Sequence, residues 1–242
     1  MRNMNLMTPI NSLGYGVAGL NILKSLKKDT NISCFPIGSI EITTQEDADA
    51  VRDSASRKPS FDPNAPCLKV WHEFDMAERI GRGPFFEITK FDEPRIRHLG
   101  STDGVIVASK WAASIVKENI NSISVHVCPL GVDRTVFNEN NNSPSDVCDF
   151  LNCGKWEVRK GHDVLLRAFQ SAFPTEQDVR LSMLPANPFL SPKEVSEWEV
   201  YYRSDSRVNI IDRRGTHAEV ASVMNASTCG VFPSRAEGWN LE

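Results

Sequence analysis

Short apolar runs alternate along this chain with longer stretches whose apolar residues recur at helical spacing. The runs cover residues 5–10, 32–37, 67–71, 104–108, 124–128, 148–153, 179–184, 207–211 and 228–232, and they are rich in Val, Ile, Leu or Phe. Continuous rather than alternating apolarity marks strands covered on both faces, as in a parallel sheet. The intervening stretches read as helices over 17–28, 110–119, 161–173, 191–202 and 216–224. Val164, Leu165, Ala168, Phe169 and Ala172 keep helical spacing within one of them. Ser109 is a candidate N-cap, Pro192 stands at a first helical position, and Thr216 with Glu219 spells a capping box. Such strand–helix alternation predicts an α/β fold with parallel strands.

Two polar stretches break the rhythm. Residues 138–146, Asn-rich and containing Pro144, read as an interdomain linker. They divide the chain into expected domains at 1–137 and 147–242, each with its own strands. Residues 43–66 read as a long surface connection inside the first domain.

Composition narrows the function classes. Hydrophobic residues make up 40% of the 242, which supports a sizeable core and excludes wholesale disorder. Lys and Arg number 27 against 31 Asp and Glu, a net charge of −4. A duplex nucleic-acid binder needs a basic face to displace counterions, so no nucleic-acid partner is expected. No apolar run approaches the roughly 20 residues of a membrane helix. The opening Met1-Arg2-Asn3-Met4-Asn5 lacks the apolar core of a secretory signal. The expectation is a cytoplasmic protein with at most peripheral membrane association. The six cysteines form no C-x-x-C pair and sit mostly in apolar runs. They are expected to be buried reduced thiols, with no metal site.

Four segments carry candidate chemistry. Gly14-Tyr15-Gly16-Val17-Ala18-Gly19 matches G-x-G-x-x-G and opens a helix. Its glycines could admit backbone N–H groups to a phosphate, with or without a nicotinamide or flavin attached, or could simply form a structural turn. Against a dinucleotide site, Pro9 and polar residues precede the motif, and no acidic residue ends the second strand; Glu41 is the nearest. The second segment, Cys153 to Gly161, places Lys155, Arg159 and Lys160 between a strand and a helix. Three cations around two glycines there suit a diphosphate as well as they suit a solvated loop. The third runs from Pro233 to Leu241, where Glu237 could accept from sugar hydroxyls. If a helix begins there, the N–H groups of Gly238, Trp239, Asn240 and Leu241 could face a phosphate. The fourth is His72-Glu73, at the end of an apolar run, a candidate acid/base or sugar-contact pair.

In order and spacing, these pieces resemble glycosyltransferase family 4, a large retaining group with the GT-B fold. The resemblance rests on Val105-Ile106-Val107-Ala108-Ser109-Lys110-Trp111 and on Pro129-Leu130-Gly131-Val132-Asp133 with Phe137. It rests also on Gly154-Lys155 followed by Lys160-Gly161-His162 and Leu165-Leu166-Arg167-Ala168-Phe169, and on Pro233-Ser234-Arg235-Ala236-Glu237-Gly238. The resemblance implies two Rossmann-like domains. The acceptor would lie mainly on the first, and a nucleotide-sugar donor of UDP, GDP or ADP type mainly on the second. Lys160 and Lys155 would hold the diphosphate, and Glu237 would contact the donor sugar. Gly14 and Gly16 would form the N-terminal loop near diphosphate and acceptor, and His72 would sit by the reacting sugar. Transfer would retain configuration and need no metal or other cofactor.

Three departures bear on this expectation. Asn240 stands where many family members have Gly, which would alter the backbone approach to phosphate. Lys155 stands where the family usually has Arg, replacing a fork by a point charge. The second Glu of the family's E-x7-E signature would fall three residues beyond Glu242, so the second domain is expected to be incomplete. A non-catalytic binding or association module built on the same shell, and an NAD-dependent oxidoreductase built on Gly14-Gly16-Gly19, are the alternative functions.

Overall fold

The computed structural model describes residues 1–72, 76, 80, 85–87, 93–138, 146–237 and 239. The chain forms two compact units, Met1–Leu130 and Gly131–Glu242. Of the expected linker, 139–145 lie outside the described residues.

The first unit runs β1 (Arg2–Thr8), α1 (Gly14–Leu26), β2 (Thr30–Pro36), α2 (Gln45–Ala55), β3 (Cys67–His72), β4 (Phe85–Glu87), α3 (Glu93–Gly100), β5 (Gly104–Val107), α4 (Lys110–Asn119) and β6 (Ser124–Val127). One sheet has the order β2-β1-β3-β4 and a second pairs β5 with β6, every described pairing parallel. Leu6, Ile32, Cys34 and Val70 of the first sheet close a core with Leu23 of α1 and Val51 of α2. Val105 and Val107 of β5 close another with Ala112, Ala113 and Val116 of α4. Ser109 caps α4 as its sequence position predicts, accepting from the Ala112 N–H at 3.1 Å.

The second unit runs β7 (Cys148–Cys153), α5 (His162–Ala172), β8 (Val179–Leu184), α6 (Pro192–Tyr202), β9 (Val208–Ile210), α7 (His217–Ala226) and β10 (Cys229–Gly230). Its sheet is again parallel, in the order β10-β7-β8-β9. Leu181 and Met183 pack with Leu165, Leu166 and Phe169 of α5 and Tyr202 of α6. Leu151, Cys153 and Leu184 pack with Val220, Val223 and Met224 of α7. The sheet is therefore clad on both sides, as its continuous apolar strands require. Thr216 and Glu219 form the expected capping box, and Ser191 with Glu194 forms another.

Three sequence expectations are corrected. The 43–66 connection contains α2, capped by Thr44, which accepts from the Asp47 N–H. Its sequence hides because Val51 is its one large apolar anchor. Ion pairs complete its attachment to α1: Lys24 reaches Asp47 at 2.9 Å and Glu46 at 3.0 Å, and Lys27 reaches Asp53 at 2.8 Å. The 228–232 run yields only a two-residue strand, with Cys229 exposed. All six cysteines are free, but only Cys34, Cys67 and Cys153 are buried; Cys148 is half-buried, and Cys128 and Cys229 face solvent. No described helix is long and apolar enough to cross a membrane.

Candidate functional site

In the first unit, the two candidate elements end at the carboxyl edge of one sheet. β1 leads through residues 9–13 into α1, and β3, its neighbour, ends at His72, whose backbone is in register with Glu87. The G-x-G-x-x-G glycines lie inside the first two turns of α1. A Cβ at Gly16 would collide with Asn11, and one at Gly19 with Thr8 and Pro9. These two glycines let α1 press onto the strand end. Gly14 has nothing within 4 Å of its Cβ position and is free to face a ligand. Glu41 comes to the same turn: its carboxylate accepts from Ser12 at 2.9 Å and its N–H donates to the Ile10 carbonyl. A polar hollow of about 250 Å³ between Asn3, Asn31, Ser33, Arg57, Ser60 and Asp62 lies at the opposite, amino-terminal ends of β1 and β2 and touches none of the candidate residues.

In the second unit, the predicted cations converge with the predicted carboxylate. A single 3-10 turn, Val158–Lys160, joins β7 to α5 and is closed by Gly161 in the left-handed region at φ 79°. Lys160 is only 8% exposed, and its ammonium lies 2.9 Å from Glu237 Oε1. Arg159 reaches Glu237 Oε2 at 2.9 Å with one nitrogen and Glu157 at 2.9 Å with another. Lys155 stands 3.5 Å from Glu157 and 5.2 Å above the Phe189 ring. Burial pushes the Glu237 carboxyl up, but the Lys160 ammonium, the Ser234 hydroxyl and the Arg159 guanidinium beside it outweigh that and hold the group below the usual carboxylate range. Glu237 is thus an anion in a cationic pocket, able to accept from hydroxyls.

A buried histidine shapes that turn. His162, fully buried at the start of α5, accepts at Nδ1 from the Glu157 N–H at 3.0 Å. Its Nε2 therefore carries the hydrogen and donates to Asn152 Oδ1 at 2.8 Å. Asn152 in turn donates to the Val231 carbonyl at 2.6 Å. The end of β7 is so tied both to the cation turn and to the segment that carries Glu237. Trp156 covers the ring edge-on at 5.1 Å and stacks on Trp198 at 5.6 Å. Burial, with the Lys160 ammonium adding to it, pushes the His162 imidazole down to about 4.

The pH dependence has a definite sign. In the unfolded chain this imidazole titrates near its ordinary value of about 6.5, so the unfolded state takes up the proton first as pH falls. The His162 contribution is intact above that value and is lost as pH drops toward 4. Going from about pH 7.5 to about pH 5 should cost the second unit about 2 kcal/mol. Urea unfolding at the two pH values measures this, and His162→Gln should flatten the difference.

The structure thus brings together Lys155, Arg159, Lys160 and Glu237. Trp239 is more than a third exposed. The His72 side chain, Gly238, Asn240 and Leu241 lie outside the described residues. Sequence reading assigned no part to Glu157, Asn152 or His162. His162 is adjacent to the cation turn, but its partner Asn152 lies on the preceding strand, and only the fold joins them. Among the described residues, no three His, Cys, Asp or Glu side chains converge as a metal site would require.

Neither a protein-family model nor a curated protein sequence matches the chain. Solved structures do. Sucrose-phosphate synthase from Thermosynechococcus elongatus matches with a TM-score of 0.70 at 14% identity, over 100% of this chain and 77% of that one. HepE from Anabaena, in complex with UDP-glucose, matches at 0.67 and 13% identity, over 98% and 75%. An alpha,alpha-trehalose-phosphate synthase (UDP-forming) from Burkholderia vietnamiensis matches at 0.61 and 9% identity, over 100% and 79%. At these identities the likeness is one of fold, and the fold is GT-B.

Proposed function

We propose that this chain is a retaining glycosyltransferase of the family 4 kind, moving a sugar from a nucleotide-sugar to an acceptor hydroxyl. The observation that carries the reading is the meeting of Lys160, Arg159 and Glu237 at the carboxyl edge of the second sheet. Open α/β folds bind ligands at that edge. The UDP-glucose held by the HepE structure supports a nucleotide-sugar as the donor.

Cleaving the bond between the anomeric carbon and the phosphate oxygen leaves negative charge on the departing nucleoside diphosphate. Lys160 and Lys155, with Arg159, stabilise that charge from fixed positions, the part a metal ion plays elsewhere. Glu237 accepts from hydroxyls of the donor sugar and orients it. If a helix begins after Glu237, the backbone N–H groups of Gly238, Trp239, Asn240 and Leu241 are its contribution to the phosphates. In the first unit, Gly14 and Gly16 are assigned to the diphosphate and acceptor, and His72 to the reacting sugar. No carboxylate is assigned as a nucleophile. The enzyme works in the cytoplasm, without metal or other cofactor.

Thermal shift with UDP, GDP, ADP and NAD tests the reading. At least one nucleoside diphosphate should raise the melting temperature, and NAD should not. Stabilisation by NAD alone, lost in Gly16→Val and kept in Lys160→Ala, would replace the transferase by an oxidoreductase. A folded chain stabilised by none of the four would replace it by a non-catalytic association module.

A further inference from the structure

Glu237 is not held by a strand. β10 ends at Gly230, and the following residues run across the Val158–Lys160 turn. Along that path the Val231 N–H donates to the Leu151 carbonyl at 2.8 Å, and the Arg235 N–H to the Arg159 carbonyl at 2.8 Å. Asn152 donates to the Val231 carbonyl and Arg159 to the Ala236 carbonyl at 2.7 Å, and the Arg235 side chain adds a further attachment. Its two terminal nitrogens meet the two oxygens of Asp163 at 2.7 and 2.9 Å, and one also donates to the Val158 carbonyl. Asp163 stands in the first turn of α5, where a carboxylate is favoured by the helix dipole. It is fixed there by the same helix that His162 anchors from inside.

We infer that Arg235 and Asp163 are positioning residues, a two-pronged latch that docks the Glu237 segment onto the start of α5 and so sets the meeting of Glu237 with Lys160. The inference rests on the proposed reading of that meeting as the donor site. Its physical basis is geometric. A bidentate guanidinium–carboxylate pair fixes direction as well as distance, and Arg235 is two residues from Glu237. Arg235 is 46% exposed in its side chain and Asp163 34%. The pair therefore adds little to stability as an ion pair. Losing it removes the directional tie next to Glu237 while the backbone bonds of the segment and the core stay in place.

The latch separates from ordinary packing in a double-mutant cycle of Arg235→Gln and Asp163→Asn on the full chain. The first readout needs no ligand: the side-chain carboxyl carbon of Glu237, followed by NMR through its titration. Each single variant should move the Glu237 midpoint up toward the ordinary carboxylate value. The double variant should move it no further, because both changes break one link. The second readout is affinity for UDP, which should fall about tenfold in each variant and no further in the double. Melting temperatures should stay within about 2 °C of the parent, as for a surface pair. An unchanged Glu237 midpoint in both single variants would overturn the latch, whatever the parent binds. A shifted midpoint in a parent chain that binds no nucleoside diphosphate would leave the latch standing and sink the donor-site reading instead.

Discussion

Replacing Lys160 by methionine is expected to weaken nucleoside-diphosphate binding by about a hundredfold or more. The argument starts from burial. Lys160 is 8% exposed, so its charge is screened little by water and is strong at close range. Its ammonium faces Glu237 at 2.9 Å, at the edge of the sheet where a bound anion would meet the same charge. Methionine keeps the stem that fills the site and removes only the cation. Glu237 then loses one of its two cationic contacts, so its carboxyl rises toward the ordinary range and its charge, less completely balanced by Arg159, repels an incoming phosphate. Lys155→Met should cost far less, because Lys155 is about a third exposed and stands off at 3.5 Å from Glu157. Isothermal titration of both variants with UDP measures the contrast. Equal losses would deny Lys160 its special place.

The second large effect is expected at Gly161. Its φ of 79° belongs to the left-handed region, where a Cβ costs roughly 1–2 kcal/mol. The Cβ would also collide with the Pro233 carbonyl. That carbonyl cannot yield freely, since Asn152 holds Val231 on one side of it and Arg159 holds the Arg235 N–H on the other. Gly161→Ala should therefore destabilise the second unit by about 3 kcal/mol or more and push the Glu237 segment off the cation turn. Urea unfolding followed by fluorescence of Trp156 and Trp198, which stack in the same core, measures the stability loss. A variant as stable as the parent would show that Pro233 does not press on this turn.

Two strands of the second unit, β7 and β8, were legible to the residue, and the reason is cladding on both faces. β7 and β8 match the predicted runs because helices cover each side, so apolar residues point to both faces along them. Capped helices were nearly as clear: Thr216 and Glu219 mark the start of α7 by local hydrogen bonding alone. α2 was hidden because it attaches to α1 mainly through charges, and charges look the same on a helix and a surface loop. The start of α1 was read three residues late, since glycines at 14 and 16 weaken the helical pattern where they serve close packing on Asn11. In the site, each cation and Glu237 could be named from local sequence, but their meeting could not. Arg159 and Glu237 are 78 residues apart, and only the order of strands brings them together. The Asn152–His162 link was out of reach for the same reason.

The most direct test of the donor site is hydrogen–deuterium exchange on the full chain, with and without the nucleoside diphosphate that stabilises it best. The account predicts slowed exchange over residues 154–161 and 231–237, where the cation turn and the Glu237 segment meet, with β8 and β9 unchanged. Protection confined to residues 14–19, or none in the second unit, would contradict it.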